Sequence, residues 1–205
     1  MSDTQNNNPA SSSAEPRKGL WKRLRSPSTR FSVLTLLGGG IIAGIVFWGG
    51  FNTALEATNT TEFCISCHDM RTNFEEYKKT VHYSNRTGVR AGCADCHVPK
   101  DLPSKLMRKL QAANDVWGHL TGRIATPEKF EANRLEMARH TWAYMKARDS
   151  RECRNCHSFE GMDPEKQKPR ARKQHENAQA DKQTCIDCHK GIAHHKPQGM
   201  TDDES

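Results

Sequence analysis

Four short runs carry the reactive residues of this chain: Cys64-Ile65-Ser66-Cys67-His68, Cys93-Ala94-Asp95-Cys96-His97, Cys153-Arg154-Asn155-Cys156-His157 and Cys185-Ile186-Asp187-Cys188-His189. Each is C-x-x-C-H, the pattern at which c-type haem is attached. The two thiols bond the vinyl carbons of the porphyrin, and the adjacent His is placed to bind iron from the proximal side. All eight cysteines fall in these pairs, with none left over. A disulfide framework has no need of His at a fixed offset. Zinc sets of four cysteines, or of two cysteines and two histidines, do not match four pairs that each have an immediate His. The pattern predicts four covalent haems and an extracytoplasmic location.

Low-spin electron-transfer haems use a second axial ligand. Six histidines remain after the motifs: His82, His119, His140, His175, His194 and His195. The default for a lone His is a surface or packing role, but the demand for distal ligands raises their standing. His82 precedes Cys93 by 11 residues and His175 precedes Cys185 by 10, which suggests equivalent ligands. His194 or His195, just after the fourth motif, is the third candidate, with His194 preferred. His119 and His140 sit on helical stretches and are weaker choices. Met70 directly follows the first motif in CHDM, and no other motif has a Met there. It reads either as a packing residue or as an axial thioether, which would raise the potential of the first haem.

These residues need elements to position them. Residues 1–30 read as a polar disordered tail, over 1–16, and a basic juxtamembrane segment with Arg17, Lys18, Lys22, Arg23, Arg25 and Arg30. Residues 31–51 carry no charge and as a helix span about 31 Å, enough for the hydrocarbon core. The basic flank predicts a single pass with the N-terminus cytoplasmic. Trp21, Trp48 and Phe51 sit where interfacial anchors belong. A cleaved signal peptide would have a shorter apolar core and a small-x-small site. Gly40 and Gly44 form G-x-x-x-G, which fits either helix dimerisation into a homo-oligomer or ordinary glycine in a membrane helix.

Twelve residues separate the apolar run from Cys64, so the first haem is expected close to the membrane boundary. Residues 52–199 form the expected tetrahaem domain, in two dihaem modules of about 52–125 and 126–199, with 200–205 a polar tail. Motif starts are 29 and 32 residues apart within the pairs and 60 between them, which suggests a duplication. Leu102, Leu106, Leu110 and Ala113 have helical spacing. A second helix opens with Thr126 as N-cap and Pro127 at the first position. Strand signals are weak. The expected fold is mainly α with much irregular structure, one N-terminal transmembrane helix and a compact multihaem cytochrome c domain. The apolar content outside 31–51 is low, so haem is expected to serve as the core. The net charge of +7 admits nucleic acid, anionic lipid or an acidic protein as partner, but no nucleic-acid motif is present.

The basic-flanked anchor, CISCHDM, the H-x10-CADCHVP run from His82, PSKLMRKLQAANDVWGH and HENAQADKQTCIDCHKGIAH together resemble the NapC/NirT family of membrane-anchored tetrahaem cytochromes c, most closely its NapC branch. The resemblance covers nearly the whole chain. It implies a quinol dehydrogenase of the bacterial inner membrane, with its haem domain in the periplasm. Such a protein takes electrons from menaquinol or ubiquinol and passes them to a periplasmic reductase or its dihaem cytochrome subunit, nitrate reductase being favoured. It implies that Met70 rather than His68 binds the first haem iron, with distal ligands His82, His175 and His194 on the other three. The quinol site it implies lies in the run Lys105–Lys109 and at Asp115. Lys109 is the foremost base, with Lys105 and Arg108 as rivals. A carboxylate can take a proton from quinol, and a Lys can hydrogen-bond its oxygen. A solvated helix face or phospholipid contact is the plainer reading of these residues. A hub serving several reductases, a passive haem wire that never meets quinol, and a docking anchor stay open as alternatives.

Overall fold

The computed structural model describes residues 30–201. The polar tail, Trp21, the basic residues Arg17 to Arg25 and the last four residues lie outside them. Two compact units divide the chain between Phe51 and Asn52. Among the described residues there are helices and irregular segments but no strand, as the weak strand signals predict.

The long helix α1, Val33–Ala57, contains one stretch long and apolar enough to cross a membrane. It starts two residues later than expected and runs six residues past Phe51. Ala54, Leu55, Glu56 and Ala57 are good helix formers, and no breaker intervenes before the Thr58–Asn59 turn. From Val33 to Trp48 its large apolar side chains are exposed on every side, Leu34 by 81% and Phe47 by 71%. A helix apolar all round needs an apolar surrounding.

The second unit contains several short helices and one long one. In order these are α2 (Thr61–Ile65), α3 (Arg71–Tyr77), α4 (Cys93–His97), α5 (Leu102–Gln111), α6 (Ala113–Leu120), α7 (Pro127–Ala147), α8 (Arg151–Arg154), α9 (Pro169–Ala180) and α10 (Cys185–Cys188). The Thr126 hydroxyl accepts from the Lys129 N–H at 3.3 Å, and Pro127 opens α7. The helical stretch around 102–120 is two helices rather than one, broken at Ala112.

Only Leu55, Tyr77, Ile124, Phe130, Met145 and Ile186 form the buried apolar core among the described residues. Polar ties do much of the joining. Ser150, fully buried in left-handed backbone at φ 47°, accepts the Ile186 N–H at 3.1 Å and so links the third motif to the fourth. Glu76 and Arg134, each 8% exposed, form an ion pair. The His195 N–H donates to Glu76 at 2.8 Å, and Arg134 donates to the His195 carbonyl at 3.0 Å. The cluster pins residues 194–195 against α3 and α7.

Burial pushes the Glu76 carboxyl up, but Arg134 and the His195 N–H outweigh it, and the net pKa lies below the usual 4.5. Glu76→Gln is expected to cost about 3 kcal/mol, because it leaves Arg134 charged and buried with only Glu131 as counter-ion. The denaturant midpoint of the haem-loaded protein reads this, and an unchanged midpoint would refute it. The depressed pKa gives stabilisation that is full above the unfolded value and is lost as pH falls through the folded one.

Candidate haem centres and electron-donor site

The C-x-x-C-H spacing has a helical reason. In α4 the thiols of Cys93 and Cys96 are one turn apart on one side, and His97 follows on the same side. Asp95 makes this helix start where it does, its carboxylate accepting the Gly92 N–H at 2.8 Å. Asp187 does the same for α10, accepting from the Thr184 N–H at 2.8 Å and the Thr184 hydroxyl at 2.9 Å. Sequence reasoning missed this capping role. The signal was the acid shared by CADCH and CIDCH, three residues after the cap. No disulfide joins the eight cysteines, whether Cys64, Cys67, Cys93, Cys96, Cys153, Cys156, Cys185 or Cys188. Helix α4 packs on α2 and α8, so the second motif neighbours the first and the third.

Three pairs of imidazoles face one another. Ring centres lie 6.2 Å apart for His82 and His157, 6.2 Å for His97 and His194, and 5.9 Å for His175 and His189. Two imidazoles on opposite sides of one metal, with metal–nitrogen bonds of about 2.0 Å, have centres roughly 6.2 Å apart. The residues present therefore fit iron held between each pair. Burial lowers the pKa of His82, His189 and His194, and takes that of His97 to about 4. Neutral imidazole is the ligating form. His175 donates from Nδ1 to the Gln167 side-chain oxygen at 2.7 Å, which leaves its Nε2 lone pair free for a metal. Gln167 had no signal in the sequence. The Nδ1 atoms of His82 and His194 are buried without a hydrogen-bond partner.

The closely matching offsets of His82 and His175 do not lead to equal partners. His175 faces the motif it precedes, whereas His82 faces the third motif instead of the second. Tyr77 and Ala91 explain this placement. The Ala91 N–H donates to the His82 carbonyl at 3.0 Å, and the Tyr77 hydroxyl sits between the carbonyls of Ala91, the closer, and His82. His140 is 82% exposed beside Glu136, and His195 is occupied at Glu76.

The first motif differs. His68 and His119 have ring centres 5.2 Å apart. The buried Asp69 carboxylate pairs with both Nδ1 atoms, with His68 at 2.9 Å and with His119 more closely. A macrocycle between these rings would cut the shared carboxylate off from one of them. Met70 is half-buried at the end of the 3-10 turn His68–Met70.

Helix α5 turns three cations toward this region. Lys105 pairs with Glu56 at 2.8 Å, and Arg108 donates to the His97 carbonyl at 3.3 Å. Lys109 bonds the Thr58 hydroxyl at 2.6 Å and the Thr58 carbonyl at 3.2 Å. Lys105 is paired with an acid, whereas Arg108 and Lys109 bond neutral groups, and of these two Lys109 lies in electrostatic range of Cys64. Burial lowers its pKa. Asp115 on α6 keeps contact with solvent, yet the protein around it desolvates the carboxyl and raises its pKa against the opposing pull of Arg108.

The description of the NapC/NirT cytochrome c family, N-terminal region, matches residues 26–199. The chain is 61% identical over 191 residues to a protein named denitrification system component NirT from Stutzerimonas stutzeri, covering 93% of this chain and 95% of that one. It is 58% identical over 181 residues to the cytochrome c-type protein NapC of Escherichia coli, covering 88% and 90%. It is 50% identical over 179 residues to the cytochrome c-type protein TorC of the same organism, covering 87% of this chain and 46% of that longer one. No solved structure matches.

Proposed function

The chain belongs to the NapC/NirT cytochrome c family, and from that membership we propose that it oxidises membrane quinol and passes the electrons to a periplasmic reductase. In this reading α1 anchors it in the inner membrane, N-terminus cytoplasmic, with four haems on the periplasmic side. Bound haem supplies one-electron redox chemistry. The chain supplies the rest. His97 with His194, His157 with His82, and His189 with His175 are the proposed axial pairs, and Met70 is the proposed ligand of the first iron.

The observation that carries the donor assignment is the setting of Lys109. It is a cation with neutral partners, tied to Thr58 just beyond α1 and close to the first motif. A lipid-soluble donor can reach it without leaving the bilayer. The Nζ group holds a quinol oxygen by hydrogen bonding, and Asp115 accepts a proton as electrons leave. The raised carboxyl pKa suits proton uptake. Nitrate reductase is the acceptor we favour, on the likeness to the NapC branch. The likeness to proteins named NirT, NapC and TorC at 61%, 58% and 50% also supports a hub that serves several reductases.

Haem-loaded protein in liposomes, given menaquinol or ubiquinol alone, is expected to be reduced. If neither quinol reduces it while dithionite does, it is a passive wire. Reduction assays with several purified reductases then separate a dedicated donor from a hub. At the first haem, Met70→Leu is expected to abolish the magnetic circular dichroism signature of thioether ligation, and His68→Ala to retain it. The reverse result would return His68 to the iron.

A further inference from the structure

We propose that the apolar side shared by α5 and α6 contacts lipid, so that residues 102–120 lie in the outer membrane–water interface. At about 100° per residue, Lys105, Arg108 and Lys109 occupy one sector of α5. Their side chains reach Glu56, the His97 carbonyl and Thr58. Met107 and Leu110 fall on the opposite side and are 56% and 71% exposed. On α6, Asp115 and His119 share a sector, and His119 reaches Asp69 beside the first motif. Val116, Trp117 and Leu120 centre roughly 130° away from that sector. They are 58%, 67% and 71% exposed. His119 turns toward Asp69 beside the first motif, away from the apolar side. Apolar patches of this kind on a polar domain mark contact surfaces.

Lipid is the occupant because of where α5 is tied. Lys105 meets Glu56 at 2.8 Å. Glu56 lies five residues past the end of the apolar run, about 7.5 Å along the helix. By chain connectivity α5 is held where α1 leaves the bilayer. An amphipathic helix carrying an exposed Trp suits that boundary. The inference rests on α1 as a membrane anchor and not on the quinol reading.

The test is photo-crosslinking of the full haem-loaded chain. It is placed in vesicles of phosphatidylethanolamine and phosphatidylglycerol containing a phosphatidylcholine with a diazirine on its acyl chain. Lipid adducts are expected on peptides from 102–120 as well as on α1, and not on α7 or α9. The double variant Trp117→Glu, Leu120→Glu is expected to lower the 102–120 adducts about tenfold, with an unchanged haem spectrum as the control for folding. Adducts confined to α1 would overturn the proposal. So would crosslinks of this segment to a second copy of the chain, or adducts that persist undiminished in the double variant. Lys109→Met separates the two readings, because it is expected to leave the adducts in place whatever it does to quinol oxidation.

Discussion

Lys109→Met is expected to slow quinol-driven haem reduction by about 10²-fold, the scale of losing one acid–base or hydrogen-bonding partner. Reduction by dithionite is expected to stay complete, because no proposed axial ligand is touched. The argument rests on partners. Lys105 is committed to Glu56 and Arg108 to the His97 carbonyl, so replacing either disturbs packing as well as charge. Lys109 has only Thr58 to lose. Asp115→Asn is expected to act at the same step, with a distinct pH signature. The wild-type carboxyl titrates above its ordinary 3.8. It is a free base only above that raised value, and the quinol rate falls as pH drops through it. The Asn variant has no such acid limb. Stopped-flow reduction across pH reads both effects, and quinol rates unchanged in both variants would place the donor elsewhere.

A chain in which all eight cysteines are Ser is expected to lose most of its helical circular dichroism outside α1 and to be digested rapidly by protease. The second unit buries few apolar side chains of its own. Fixing each residue's backbone costs roughly 1–2 kcal/mol, and so small a core cannot offset that. Haem plates and iron ligation supply what is missing, as metal does in small metal-dependent domains. Helix α1 is expected to remain, since its stability in a bilayer needs no haem. Cooperative thermal unfolding of the haem-free chain would refute the expectation.

The motifs, the long apolar helix and the start of α7 are all local features, and a local pattern of thiols, hydropathy or capping residues is enough to read them. The absence of strands among the described residues was legible for the same reason. Pairing was not. His82 faces His157 because Tyr77 and Ala91 hold its carbonyl, a contact that no spacing rule encodes. The break at Ala112 was hidden because the apolar spacing runs across it. Gln167 and the cluster of Glu76, Arg134 and His195 were hidden because partners 8 to 119 residues apart leave no periodic trace. The offset of Met70 was visible, but the carboxylate shared by His68 and His119 was not.

Iron held between His97 and His194, as proposed, would set an order in time. A chain emerges from its N-terminus, so the second motif is made long before the ring that faces it. Until residue 194 follows, that motif can be covalently loaded but not closed. The His82 and His157 pair waits less, and the His175 and His189 pair completes almost at once. On the proposed axial pairs the second site is therefore the last of the three to close, once residue 194 has followed.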